Sequence, residues 1–223
     1  MEKVIQGAQG KKKVNKITTF PVPFKLEGIQ ENITIATYTS DNPSKEKILN
    51  QAFKFHSQGN ILEAAKNYQK FIDKGFKDHR VFSNYGIILK DHGKLEEAEL
   101  STRKAIDIKP DFAYAHYNLG NILSDLGKLE EAIFSQQKAI KLKPDFANAY
   151  SNLGAIFLNL GKLEEAHSCY KKALYLNKNL DEATEGIGEI HLRKGDFHDG
   201  IFYLRKANGS INFNYTKSHF FIN

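Results

Sequence analysis

The sequence predicts an all-α fold of five helical hairpins stacked side by side, and three observations support this prediction. Similar sequence segments recur every 34 residues: NYGIILKDHGKLEEAE from Asn84, NLGNILSDLGKLEEAI from Asn118 and NLGAIFLNLGKLEEAH from Asn152. Each copy contains two stretches of about 13 residues whose apolar positions follow the period of a helix. A glycine separates the two stretches, where a helix C-cap is expected.

The repeat divides residues 45–214 into consecutive units without insertion. With Lys45 as position 1, the units are 45–78, 79–112, 113–146, 147–180 and 181–214. Position 15 is glycine in every unit, and position 8 is small, with Ala52, Gly86, Gly120, Gly154 and Gly188. A hairpin of two short helices cannot bury its apolar face alone, so each unit is expected to pack against the next. The glycines at position 8 indicate close contact between helices.

These positions resemble the tetratricopeptide repeat (TPR) family over residues 45–214. The marks of the family are small residues at positions 8, 20 and 27, large apolar residues at 7, 11, 17 and 24, and proline at 32. Proline is present at position 32 in two units, and the departures are Phe71 at 27, Gly200 at 20, and Thr102 and Gln136 at 24. The resemblance implies a right-handed α-solenoid whose first helices line a concave groove.

The second helix of each unit carries acidic residues in its first turn and lysines later. The acids are Glu96, Glu97, Glu130, Glu131, Glu164 and Glu165, and the lysines are Lys104, Lys138 and Lys172. This order suits the helix dipole. We therefore expect a solvated face here.

The two ends of the chain lie outside the repeat. Residues 1–44 begin with a lysine-rich stretch and are expected to form a flexible basic arm, extended at FPVPF. Asn42 and Pro43 suit the start of a helix. Residues 215–223 are expected to be an apolar tail, which either folds over the last hairpin or leads into another domain.

Composition limits the classes of partner. The formal net charge is +6, but residues 1–25 alone carry six lysines against one acid, and charges of both signs alternate elsewhere. Nucleic acid is therefore disfavoured as a partner. No apolar run approaches the roughly 18 residues of a membrane helix, and the first residues lack the apolar core of a secretory signal. With one cysteine, Cys169, a reducing compartment is expected, and the predicted location is cytoplasmic.

Position 6 suggests where a partner would bind. It is asparagine in four units, Asn50, Asn84, Asn118 and Asn152. Residues 34 apart should stack along the groove as a ladder of amides, whose donors and acceptors suit the backbone of an extended peptide. The alternative is that these asparagines serve local structure or solubility.

Further partner-binding candidates flank this ladder: Arg80, Lys90, Tyr114 and Tyr117. Tyrosines can anchor a ligand at low entropic cost, although packing against adjacent helices is an equal alternative. The pattern differs from TPR domains that clamp a chaperone's C-terminal carboxylate, because Leu49 and Phe53 stand where lysine and asparagine would be needed. A chaperone C-terminus is therefore not expected.

Catalysis, metals and cofactors find no support in the sequence. His167 and Cys169 are two residues apart on a helix and point to different faces. Cys169 is expected to be a small buried residue and His116 a core residue. His191 and His198 flank a glycine turn without a third ligand, and no phosphate-binding or dinucleotide-binding glycine pattern is present. We expect no metal, no cofactor and no enzymatic activity.

The predicted function is a non-enzymatic interaction module that binds an extended peptide or a partner's surface in the groove. One alternative is the targeting half of a transferase whose catalytic domain is absent or separately encoded. The reason is that the sequence resembles bacterial, especially cyanobacterial, TPR proteins, in which such a domain often follows the array. A weaker alternative is nucleic-acid binding through the N-terminal lysines.

Overall fold

The computed structural model describes residues 44–208, which form ten α-helices. They are α1 (Lys45–Ser57), α2 (Ile61–Asp73), α3 (His79–Asp91), α4 (Leu95–Ile108), α5 (Ala113–Asp125), α6 (Leu129–Leu142), α7 (Ala147–Asn159), α8 (Leu163–Leu176), α9 (Asp181–Arg193) and α10 (Phe197–Asn208). Backbone contacts divide the chain into two units between Ser44 and Lys45, and the ten helices belong to the second. None of these helices is long and apolar enough to cross a membrane. The expectations for residues 1–43 and 209–223 lie outside the described residues.

The helices pack as five hairpins, so the predicted all-α fold of stacked pairs is confirmed. Each odd-numbered helix packs most extensively against the next, and each even-numbered helix then packs against the first helix of the following hairpin. First helices of neighbouring hairpins also touch, α3 with α5, α5 with α7 and α7 with α9, whereas second helices within residues 44–208 make no comparable contact. First helices therefore approach one another more closely than second helices do, which is the geometry of the inner side of a curved stack.

A glycine in the left-handed conformation turns each first helix into its second helix. The φ angle of Gly127 is +74°, and its equivalents in the other four hairpins lie between +73° and +85°. At this turn the N–H of Lys128 donates to the carbonyl oxygen of Leu123 at 2.8 Å, which closes the end of α5. A side chain at such a glycine would cost backbone energy even though the space around it is open.

The glycines at position 8 lie against position 24 of the same hairpin, as their sequence pattern predicted. A Cβ atom added to Gly120 would lie 2.6 Å from Nε2 of Gln136, and one added to Gly154 would lie 2.9 Å from the ring of Tyr170. The two helices of a hairpin therefore meet at a distance that leaves no room for a larger residue at position 8.

Position 27 sets how closely one hairpin approaches the next. It is a fully buried alanine in the second, third and fourth hairpins, whereas the first hairpin has Phe71, which is also fully buried. The ring of Phe71 packs against Phe76, with 5.3 Å between ring centres. The contact between α2 and α3 is the least extensive of its kind in the stack. A phenyl ring where the other hairpins have a methyl group accounts for this wider separation.

Candidate functional site

First helices of three successive hairpins line a depression of about 250 Å³. Its lining comes from α3, α5 and α7: Lys90, Asn121, Ser124, Asp125, Asn152, Ala155 and Ile156. We call this surface the first-helix groove. A larger but shallow depression of about 540 Å³ runs along α2 beside Tyr85 and contains none of the predicted binding residues. The first-helix groove is therefore the candidate site.

A chain of side-chain amides joins the groove to the core. Oδ1 of Asn121 accepts hydrogen bonds from Nδ2 of Asn152 at 2.6 Å and from Nε2 of Gln136 at 2.7 Å. Gln136 is fully buried, and its Nε2 also donates to the carbonyl oxygen of Tyr117 at 3.3 Å. Its Oε1 has no hydrogen-bond partner among residues 44–208. These bonds hold Asn121 in one orientation on α5, because both neighbouring amides donate to the same oxygen atom.

Asn121 is a groove residue that the sequence analysis missed. Its repeat position, 9, holds no asparagine or glutamine in any other hairpin. The 34-residue spacing that predicted the position-6 ladder therefore gave no signal for Asn121. A signal was present in Gln136, a polar residue at a core position. A buried amide requires polar partners, and these had to come from the facing helix.

Three of the four position-6 asparagines form hydrogen bonds to the preceding hairpin. Nδ2 of Asn84 donates to the hydroxyl of Tyr68 at 3.2 Å, Nδ2 of Asn118 donates to Oγ of Ser83 at 3.0 Å, and Asn152 donates to Asn121. Asn50, in the first hairpin, is exposed. Each half-buried asparagine therefore spends one amide hydrogen inside the stack and keeps its second hydrogen and its carbonyl oxygen.

The two predicted cations are held by acidic neighbours. Nη2 of Arg80 lies 2.8 Å from Oδ2 of Asp78, and its guanidinium carbon lies 4.9 Å from the ring centre of Phe53. Burial by itself would raise the pKa of Asp78, but the hydrogen bonds and charge of Arg80 lower it on balance. Nζ of Lys90 lies 3.4 Å from Oδ2 of Asp125, which belongs to the next hairpin. Both cations are therefore paired with a carboxylate, and Lys90 is the one that lines the first-helix groove.

The two predicted tyrosines pack on Phe146, which precedes α7. Their ring centres lie 5.0 Å (Tyr114) and 4.7 Å (Tyr117) from that of Phe146. Nζ of Lys143 donates to the hydroxyl of Tyr114 at 3.1 Å. Tyr114 still exposes 47% of its surface. Tyr117 therefore packs between hairpins. Tyr114 also packs on Phe146 but stays partly accessible to a ligand.

His116 and Cys169 are placed where catalysis is disfavoured. His116 is buried, and its Nε2 lies 2.9 Å from the carbonyl oxygen of Pro110, which matches the expectation of a core residue. Cys169 is half-buried, and burial, with a smaller contribution from Glu165, raises the pKa of its thiol to about 11. A thiol with this pKa is almost entirely protonated near neutral pH and is a poor nucleophile.

We expect iodoacetamide to modify Cys169 much more slowly in the folded chain than in the urea-unfolded chain at the same pH. The raised pKa of the Cys169 thiol also predicts how the free energy of unfolding changes with pH. Below the ordinary value of 9.0 both states keep the proton, whereas between 9.0 and about 11 the unfolded thiol ionises first, so stability falls as pH rises. Cys169→Ser should lose less stability than the native chain over this interval. Equal alkylation rates for the folded and unfolded chains would contradict the prediction.

One expectation about histidine was wrong. His191 and His198 were expected to flank a glycine turn without a third ligand, but the turn between α9 and α10 brings Asp196 and Asp199 beside His191, with one potential donor atom from each of these three residues within 4.8 Å of the others. Nδ1 of His191 lies 3.3 Å from Oδ2 of Asp196, and Nδ1 of His198 lies 2.9 Å from Oδ1 of Asp199. Both carboxylates are exposed, so these contacts are surface polar pairs at a hairpin turn.

Comparison with known proteins agrees with the geometry of the stack. A family model described as TPR repeat matches residues 86–127 and 120–161, and one described as tetratricopeptide repeat matches residues 147–180. No curated protein sequence matches the chain significantly.

Several solved structures share the fold. MamA from Desulfovibrio magneticus RS-1 is 20% identical, with a TM-score of 0.64 over 73% of this chain and 92% of that one. TTC0263, a thermophilic TPR protein of Thermus thermophilus, is 17% identical, with a TM-score of 0.63 over 74% and 91%. PilF of Pseudomonas aeruginosa is 18% identical, with a TM-score of 0.64 over 74% and 77%. At these identities the similarity establishes the fold.

Proposed function

This chain is a tetratricopeptide repeat protein, and from that premise we propose that it binds an extended segment of a protein partner along the first-helix groove. Proteins of this fold generally act as non-catalytic scaffolds for protein–protein interaction. The observation that supports the site is the depression of about 250 Å³, whose walls come from three successive first helices and whose lining includes Asn121 and Asn152.

The hydrogen-bonding capacity left in the position-6 asparagines, of which Asn152 lines the groove, suits a peptide backbone. Asn84, Asn118 and Asn152 each retain a carbonyl oxygen, which can accept from a peptide N–H, and one amide hydrogen, which can be donated to a peptide carbonyl. Their internal bonds hold the amides in place before a partner arrives. Less side-chain entropy is then lost on binding than with freely rotating amides.

The expected affinity is modest. A few hydrogen bonds at about 0.5–1.5 kcal/mol each contribute only a few kcal/mol before ordering of the peptide is counted. Micromolar dissociation constants are therefore expected unless an anchor side chain adds apolar burial. Of the two predicted anchors, Tyr114 is the exposed one, with 47% of the residue accessible.

The sharpest test fills the groove without removing any internal hydrogen bond. Ala155 is exposed and lines the depression, so Ala155→Arg places a long side chain in the path of the peptide. The probes are peptides selected from a displayed random library on the full native chain. We expect Ala155→Arg to weaken their binding at least about tenfold, because steric filling removes contacts along the central hairpins.

Ser168→Arg is the matched control, because it adds the same side chain at an exposed position of α8, outside the groove lining. It should bind the selected peptides as the native chain does. Equal binding by Ala155→Arg and the native chain would exclude the groove. Replacing Asn50, Asn84, Asn118 and Asn152 together with alanine is a second test, provided that circular dichroism shows a folded variant. That check matters because three of the four amides also join neighbouring hairpins.

A further inference from the structure

The second helices of the stack expose large apolar side chains at one repeat position. At position 22, Leu100 on α4 is 64% exposed and Phe134 on α6 is 70% exposed. The charge pattern of the second helices predicted a face that is simply solvated. A pair of large apolar side chains presented to water by adjacent hairpins is instead typical of a surface that another molecule covers.

Ion pairs between α4 and α6 show that the two apolar side chains share one continuous face. Nη2 of Arg103 lies 2.8 Å from Oε2 of Glu131, and Nζ of Lys128 lies 2.8 Å from Oε2 of Glu99. Glu99 and Arg103 flank Leu100 in sequence, and Glu131 lies one turn before Phe134. The hydrogen bond from Lys128, together with those from Arg103, lowers the pKa of Glu99. We call this face the Leu100–Phe134 stripe.

Charged residues stand one helical turn on each side of the two apolar residues. Glu96 and Lys104 flank Leu100, and Glu130 and Lys138 flank Phe134, each at a spacing of four residues. None of these four forms an ion pair with another described residue. The charged residues that lie between them in sequence, Glu97, Glu99, Arg103 and Glu131, do form ion pairs. Lys104 makes only a distant contact with the ring of Phe82, at 5.9 Å. Both helices therefore present the same order of an acid, an apolar residue and a lysine.

We propose that the Leu100–Phe134 stripe is a two-fold interface with a second copy of this chain. A two-fold axis that lies in this face and runs across both helices sets each helix antiparallel to its own equivalent in the second copy, with Leu100 against Leu100 and Phe134 against Phe134. The same operation sets Glu96 opposite Lys104 and Glu130 opposite Lys138 of the second copy. A face with equal numbers of acids and bases in this order is complementary to itself, as an isologous interface requires. It does not favour a partner of one charge sign, such as a nucleic acid or an anionic membrane.

The first test is sedimentation equilibrium of the full chain over a dilution series. We expect a monomer–dimer equilibrium, and we expect Phe134→Glu to weaken the dimer about tenfold or more, because it buries an unpaired charge at the centre of the interface. The matched control is Leu62→Glu on α2, which has the same 64% exposure as Leu100 and lies in a different hairpin. It should leave the dimerisation constant unchanged. Both positions are exposed, so both variants should fold.

The second test reverses charges and examines the register. Lys104→Glu and Glu96→Lys should each weaken the dimer several-fold, because each sets like charges opposite one another in both symmetric pairs. The double variant should restore native dimerisation, since the pair is then rebuilt with opposite polarity. A chain that stays monomeric at every concentration would overturn the proposal. So would a dimer that is insensitive to Phe134→Glu, or a double variant weaker than either single one.

Discussion

Replacing Phe71 with alanine is expected to lower the free energy of unfolding by about 3–5 kcal/mol, the range measured for deleting a buried aromatic ring. Phe71 is fully buried between the first and second hairpins. Deleting the ring removes its contacts with Phe76 and leaves a cavity that α2 and α3 can close only by moving together. Because each hairpin contacts mainly its neighbours, the lost stabilisation is confined to the interface between the first and second hairpins.

The measurement is a urea titration followed by circular dichroism. Because stability in repeat proteins is a sum over neighbouring units, Phe71→Ala is also expected to broaden the transition, as the first hairpin melts before the others. Phe202→Ala is the matched control. It deletes the same ring from a largely exposed position on α10 and should change stability by no more than about 0.5 kcal/mol. Equal effects of the two substitutions would refute the role assigned to Phe71.

Replacing Gly186 with alanine is expected to destabilise the chain by about 1–3 kcal/mol, the typical cost of overpacking a core. Helix propensity alone predicts the opposite sign, because alanine is favoured over glycine inside a helix by about 1 kcal/mol. Steric overlap decides the sign here, since a Cβ on Gly186 would occupy the space of the Tyr170 ring. That ring is buried and also faces Gly154 on α7, so it has no free side to which it could move.

A double-mutant cycle with Tyr170→Ala separates the two effects. In the Tyr170→Ala background the ring is absent, so Gly186→Ala should become neutral or stabilising by up to about 1 kcal/mol. The coupling would be read from urea midpoints of the four chains. If Gly186→Ala costs the same with and without the ring, its effect does not arise from contact with Tyr170.

The same contact lies where the row of asparagines ends, after the fourth hairpin. In the first hairpin, Tyr68 at position 24 meets Asn84 and hydrogen-bonds to it. In the fourth hairpin, Tyr170 at position 24 instead lies over Gly186, which takes the place of an asparagine at position 6. The ring thus fills the place that an amide occupies in the earlier hairpins.

The repeat register and the helices could be predicted from the sequence because the information is local. Hydrophobic periodicity and turn glycines such as Gly127 act within one hairpin, and small residues such as Gly120 act between its two helices. In a stack each hairpin contacts mainly its neighbours, so the rule of one unit extends to the whole array. For this reason the first helices of successive hairpins begin 34 residues apart.

The site could be predicted only in part. The position-6 asparagines were found by their spacing, but the partners that hold them were not. Asn118 bonds to Ser83 and Asn152 to Asn121, and each of these partners occupies a different repeat position. No repeat rule links such positions, because the partner depends on which side chain in the preceding hairpin happens to be polar.

By itself, the sequence determined that this chain is a stack of hairpins and which small residues the stack requires. Only the tertiary structure decided that Asn152 is tied into the stack through Asn121, and that Leu100 and Phe134 face outward side by side. The physical reason is that helix formation and hairpin closure depend on residues near in sequence, whereas hydrogen-bond partners and exposed patches depend on how neighbouring hairpins are placed in space.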